Sequence, residues 1–107
     1  MKREEKQIQE KIIKWLNKQP YTIVHKRFAN AYNAKGMPDI TGAIGGLCLE
    51  IEVKTETGVL SPKQEYYIRK FREHCVIIIV ARDLETVQRE LSPVYEAISK
   101  GILPFRF

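Results

Sequence analysis

The 107-residue chain is short of several things. It has two cysteines, too few for a disulfide framework or for a structural zinc site of their own. Cys48 and Cys75 sit in apolar runs (Leu47-Cys48-Leu49 and His74-Cys75-Val76), and both read as reduced, buried thiols of a cytoplasmic protein. The two histidines, His25 and His74, have no second nitrogen or sulfur ligand at suitable spacing and read as surface or strand-end residues. No apolar run approaches the ~20 residues of a membrane span. Met1 to Lys6 leads into an amphipathic pattern instead of an apolar signal core, which argues against secretion. Repeats, low-complexity tracts, Gly-rich phosphate loops, Ser/His/Asp sets and Cys/His nucleophiles are all missing. Nucleophilic catalysis and phosphate-loop chemistry are therefore not indicated.

What remains is one domain's worth of chain, residues 1–107, with 44% hydrophobic residues to build a single core. The net charge of +5 permits a polyanionic partner without proving one. Its distribution says more. Residues 1–20, 21–37 and 61–82 each carry +3, residues 38–60 carry −3, and residues 83–107 carry −1. Clustered carboxylates repel one another unless a cation sits among them. An acidic island between basic stretches suits a phosphodiester-cleaving centre, although ordinary surface scatter would produce the same numbers.

Residues 4–18 carry Ile8, Ile12, Trp15 and Leu16 at helical spacing, with Pro20 closing the segment. Tyr21 to His25 reads as a strand and Asn30 to Met37 as a loop. Asp39 to Ile44 and Leu47 to Thr55 read as a hairpin about Gly45-Gly46. Along the second strand, Leu47, Leu49, Ile51 and Val53 face one way, and Cys48, Glu50, Glu52 and Lys54 the other. Ser61-Pro62 starts a helix with Tyr67, Ile68, Phe71 and Cys75 as its apolar stripe. The β-branched run Val76 to Ala81 reads as a strand buried on both faces. Asp83 caps a helix over Leu84 to Leu91, and Ser92-Pro93 caps another that ends at Gly101. The apolar tail Ile102 to Phe107 must pack on the core or on a second subunit. This order specifies an α/β domain, a mixed central β-sheet flanked by helices.

Three charged residues carry the candidate chemistry. Glu52 and Lys54 share one strand face, roughly 7 Å apart. The hairpin can bring Asp39, after Pro38, beside Glu52. Paired carboxylates bind a hard cation such as Mg²⁺ and leave positions for water. Such an ion polarises a phosphate and lowers the pKa of bound water. Lys54 would hold the attacking water or offset developing charge. Each feature also has an ordinary explanation: cross-face pairing for Glu-x-Lys, a turn for Pro-Asp.

Taken together, Gly36-Met37-Pro38-Asp39-Ile40, Leu49-Glu50-Ile51-Glu52-Val53-Lys54-Thr55, Gly58-Val59-Leu60-Ser61-Pro62-Lys63-Gln64 and Val80-Ala81-Arg82-Asp83 resemble the VRR-NUC group of PD-(D/E)XK nucleases. The resemblance spans about Glu5 to Val87. It implies a restriction-endonuclease-like fold and Mg²⁺- or Mn²⁺-dependent endonuclease cleavage of DNA in replication, recombination or repair. Small stand-alone members are phage-type proteins, which would place the chain in the cytoplasm of a bacterial host. They resemble homodimeric Holliday-junction resolvases, so branched DNA is the implied substrate. Asp39, Glu52 and Lys54 match the catalytic positions, and the Val53 carbonyl matches a further metal ligand. Glu5 matches a first-helix glutamate that helps the metal site. It falls near the centre of the Ile8/Ile12/Trp15/Leu16 stripe, where a carboxylate needs a reason. The alternative is a first-turn residue that merely favours the helix N-terminus. Gln64 matches a glutamine near the catalytic lysine, yet Ser61-Pro62-Lys63-Gln64 is also a capping box. His74, where a glycine is usual, and Arg82-Asp83, where Arg-Ser is usual, depart from the pattern and bear on turn geometry only. Lys26, Arg27 and Lys35 could grip a DNA backbone or be solvated loop charges. The competing readings are a non-catalytic nucleic-acid-binding module with a nuclease fold, and an interaction protein whose acidic island pairs with neighbouring lysines.

Overall fold

A computed structural model describes residues 3–28, 35–75 and 77–104. The elements run α1 (Arg3–Leu16), β1 (Thr22–Lys26), β2 (Ile40–Ile44), β3 (Leu47–Val53), α2 (Pro62–His74), β4 (Ile77–Ala81) and α3 (Leu84–Ser99). The four strands form one sheet in the order β1-β2-β3-β4. The first three are antiparallel, and β4 joins β3 in parallel. Gly45 and Gly46 turn the β2–β3 hairpin with φ of 57° and 83°, backbone that residues with a Cβ resist.

The β3 alternation decides which side each helix covers. Leu49, Ile51 and Val53 are buried with Ile12 and Leu16 of α1 and Val87 and Leu91 of α3. Trp15 meets Tyr95 edge to face at 6.1 Å, which joins the two helices. The end of α1 is fixed by Asn17. Its amide accepts from the Val24 N–H at 2.9 Å and donates to the Val24 carbonyl at 3.0 Å, satisfying the outer edge of β1. The opposite sheet face receives α2, with Phe71 under the Arg27 guanidinium at 5.6 Å.

Three sequence expectations change. Leu84–Ser99 is one helix, with Pro93 inside it, not two. The inward stripe Val87, Leu91, Val94, Tyr95 and Ile98 continues past Pro93 at helical spacing, so burial outweighs the missing N–H. β4 lies at the sheet margin among the described residues. Only Ile79 and Ala81 are buried, while Ile77, Ile78 and Val80 are half-buried. Cys48 and Cys75 are not separate buried thiols. They form a disulfide with Cα atoms 5.5 Å apart. Alternation sends Cys48 out on the exposed part of the α2 face, and Cys75, the C-cap of α2, lies beside it. In the C-terminal tail Leu103 is buried and Ile102 exposed. Residues 105–107, and residues 30–34 of the expected loop, lie outside the described part. No helix among the described residues is long and apolar enough to cross a membrane.

Candidate active site

The hairpin register pairs Ile40 with Ile51, which sets Asp39 opposite Glu52 at the end of the β2–β3 ladder. Asp39 is held there from two sides. Its Oδ2 accepts the Val53 N–H at 2.8 Å, and its carbonyl accepts the Arg27 N–H at 2.7 Å. The approach of the preceding loop depends on Gly36, at φ 93°. A Cβ there would stand 2.8 Å from the Lys63 Cβ, so the start of α2 closes directly on the segment leading to Asp39.

Glu52 is 1% exposed. Burial, then the hydrogen bond and charge of the Asp39 carboxyl, push its pKa up to about 9. Glu5 adds to the rise and Lys54 opposes it. Two carboxyl groups in such contact must share a proton or a cation. Glu52 Oε1 has no hydrogen-bond partner among the described residues, and neither does Gln9 Nε2 on α1. Both are buried. Gln9 escaped the sequence reading. Its signal was its place one turn after Glu5 on the inward face of α1, where an amide, like a carboxylate, needs a reason.

Lys54 is half-buried, and its stem passes Gly58, where a Cβ would stand 3.4 Å from Lys54 Cδ. That loop is pinned by Arg82, whose Nη1 donates to the carbonyls of Thr55, Glu56 and Gly58. Asp39, Glu52, Lys54 and the backbone of Val53 thus converge as the sequence suggested. Glu5 comes within electrostatic range of Glu52. It does not complete a metal set, for no three His, Cys, Asp or Glu side chains among the described residues are grouped to hold an ion. Gln64 is engaged in the capping box: Oε1 accepts from the Ser61 N–H at 2.8 Å, and its own N–H donates to Ser61 Oγ at 3.1 Å. Lys26 and Lys35 are exposed. Arg27 is turned inward, onto Glu50 Oε1 at 2.8 Å and the Pro38 carbonyl at 2.7 Å, so it is not a solvent-facing cation.

The donors present fit a small hard cation. Mg²⁺ takes one or two carboxylates and fills its other positions with water and substrate phosphate. Asp39, the orphaned oxygen of Glu52 and the Val53 carbonyl are such donors. The absence of sulfur and imidazole from the cluster disfavours softer ions.

No family model matches the chain, and no curated protein matches it. A solved structure described as a VRR_NUC domain protein does match in three dimensions, with a TM-score of 0.66 over 82% of this chain and 84% of that one. The chain has the VRR_NUC fold. At 20% identity, the likeness is one of architecture. It bears out the expected α/β, restriction-endonuclease-like arrangement of a mixed sheet flanked by helices.

Proposed function

We propose that the protein is a metal-dependent deoxyribonuclease that hydrolyses phosphodiester bonds, with branched DNA as its preferred substrate and a homodimer as its working form. The observation that supports this best is Glu52: a buried carboxylate against a second carboxylate, with one oxygen left unpaired. A fold evolved only for stability would replace or neutralise such a group.

In this reading Asp39, Glu52 and the Val53 carbonyl hold Mg²⁺ or Mn²⁺, which when bound supplies Lewis acidity and an acidified water. The Val53 N–H keeps the Asp39 carboxylate in one orientation. Lys54 places an ammonium where negative charge grows as water oxygen bonds to phosphorus and the leaving oxygen departs with a proton. Glu5, on α1, acts on this set through its charge. Exposed Lys26 and Lys35 would meet phosphates, and Gln64 steadies the start of α2.

Incubating a labelled four-way junction and its linear duplex with Mg²⁺ or Mn²⁺ tests the proposal. Cleavage of the junction, lost in Asp39→Asn and Glu52→Ala, is expected. Metal-independent behaviour of a folded protein on both DNAs, with binding but no cutting, would instead favour the binding module. Light scattering tests the dimer, and a monomer at working concentration would overturn that part.

A further inference from the structure

The charged face of β3 carries a second buried carboxylate that the proposed chemistry does not use. Glu50 is 2% exposed and lies two residues before Glu52 on the same face. Its Oε2 accepts from Thr41 Oγ1, opposite it on β2, and its Oε1 forms an ion pair with Arg27 Nη1 at 2.8 Å, outside hydrogen-bond geometry. The same Arg27 nitrogen donates to the Pro38 carbonyl at 2.7 Å, and the Arg27 backbone N–H donates to the Asp39 carbonyl at 2.7 Å. Phe71 closes the guanidinium from the α2 side. Among the described residues, the polar partners of this arginine are Glu50 and the two-residue segment that ends in Asp39.

We infer that Arg27 and Glu50 form a positioning pair that sets the Pro38–Asp39 backbone, and through it the Asp39 carboxylate, for metal binding. Glu50 anchors the guanidinium on the rigid centre of the sheet. The guanidinium then clamps the carbonyl next to Asp39, whose segment otherwise leads into a loop. Nη1 faces both acceptors while the guanidinium lies over the Phe71 ring, and a compact ammonium does not reproduce that combination of in-plane donor and stacking face. The inference assigns Arg27 to the site's interior and takes it out of the DNA-gripping set. It rests on the metal-site reading above.

The pair has an alternative as a mere electrostatic neighbour, and the two roles differ in sign. Removing a cation near a metal site by itself tightens metal binding. Loss of a positioning residue weakens it, by ~10–100-fold for groups that orient ligands. The test uses Arg27→Met, Arg27→Lys and the double variant Arg27→Met/Glu50→Gln, with Mn²⁺ affinity from calorimetry. A metal-free readout is the NMR shift and exchange rate of the Val53 amide, the donor to Asp39. The double variant removes both charges, so it keeps its stability even where Arg27→Met alone is poorly folded.

We expect Mn²⁺ affinity to fall in all three and the Val53 amide to shift and exchange faster. Recovery of wild-type Mn²⁺ affinity and Val53 amide behaviour in the folded double variant would overturn the pairing. So would an unchanged amide in Arg27→Lys. If the wild-type protein binds no Mn²⁺, the metal reading fails, and the Val53 amide still decides whether Arg27 sets Asp39.

Discussion

Glu50 and Glu52 are neighbours on one strand face and both buried; each has an Oε1 without a hydrogen bond, and they differ in the charge beside it. Glu50 has a guanidinium at ion-pair distance from one oxygen, outside hydrogen-bond geometry, and a hydroxyl on the other. Glu52 has a second carboxyl group as its nearest partner, an oxygen without a donor, and a pKa pushed up to about 9. The protein therefore can set a cation beside a buried carboxylate on this strand, and does so two residues away. The missing compensation at Glu52 is a property of that site, where an external cation would complete it. Strain of this kind belongs to function more often than to structure.

The comparison breaks most visibly on stability. Glu50→Ala leaves Arg27 and Thr41 without their acceptor, and should cost roughly 3 kcal/mol, the low end for a broken buried pair because Arg27 keeps some water. The mirror change at the second site, Glu52→Gln, should cost nothing or stabilise the metal-free protein, since the amide resembles the protonated carboxyl that burial favours and cannot ionise. Urea unfolding of the two variants measures both. Equal losses would erase the distinction between the two carboxylates.

Acid–base linkage sharpens it further. In the unfolded chain Glu52 titrates near 4.5, and in the folded metal-free protein near 9. The folded state then holds a proton that the unfolded state has released. The resulting stability is fully present below pH 4.5 and is lost as pH rises toward 9. The difference in stability between wild type and Glu52→Gln should therefore move against wild type as pH rises. A difference that stays flat across that window would show Glu52 to be ordinary.

The smallest effect concerns Gln9. Gln9→Met keeps length and removes the unpaired amide, so the metal-free protein should gain ~1 kcal/mol. A loss of stability would show that the amide has a partner the fold depends on.

Much of this was readable from residue order. The β3 alternation, the Gly45-Gly46 turn and the Ser61-Pro62 cap each have a local cause, and each formed as expected. The Asp39–Glu52 juxtaposition followed from the hairpin alone, because turn position fixes register. What was not readable depends on contacts between distant segments. Arg27 looked like a loop cation because nothing local announces Glu50 and Phe71 as its neighbours. Pro93 looked like a helix start because its stripe gains its energy from the sheet beneath it, and Cys48 and Cys75 meet only once α2 has crossed the sheet face.

Thermal unfolding of wild type and Glu52→Gln, each with and without Mn²⁺ at near-neutral pH, tests most directly whether Glu52 is left uncompensated for a cation. Mn²⁺ should raise the wild-type midpoint, as any ligand specific to the folded state does, and leave Glu52→Gln unmoved. A wild-type midpoint indifferent to Mn²⁺, or an equal rise in Glu52→Gln, would contradict it.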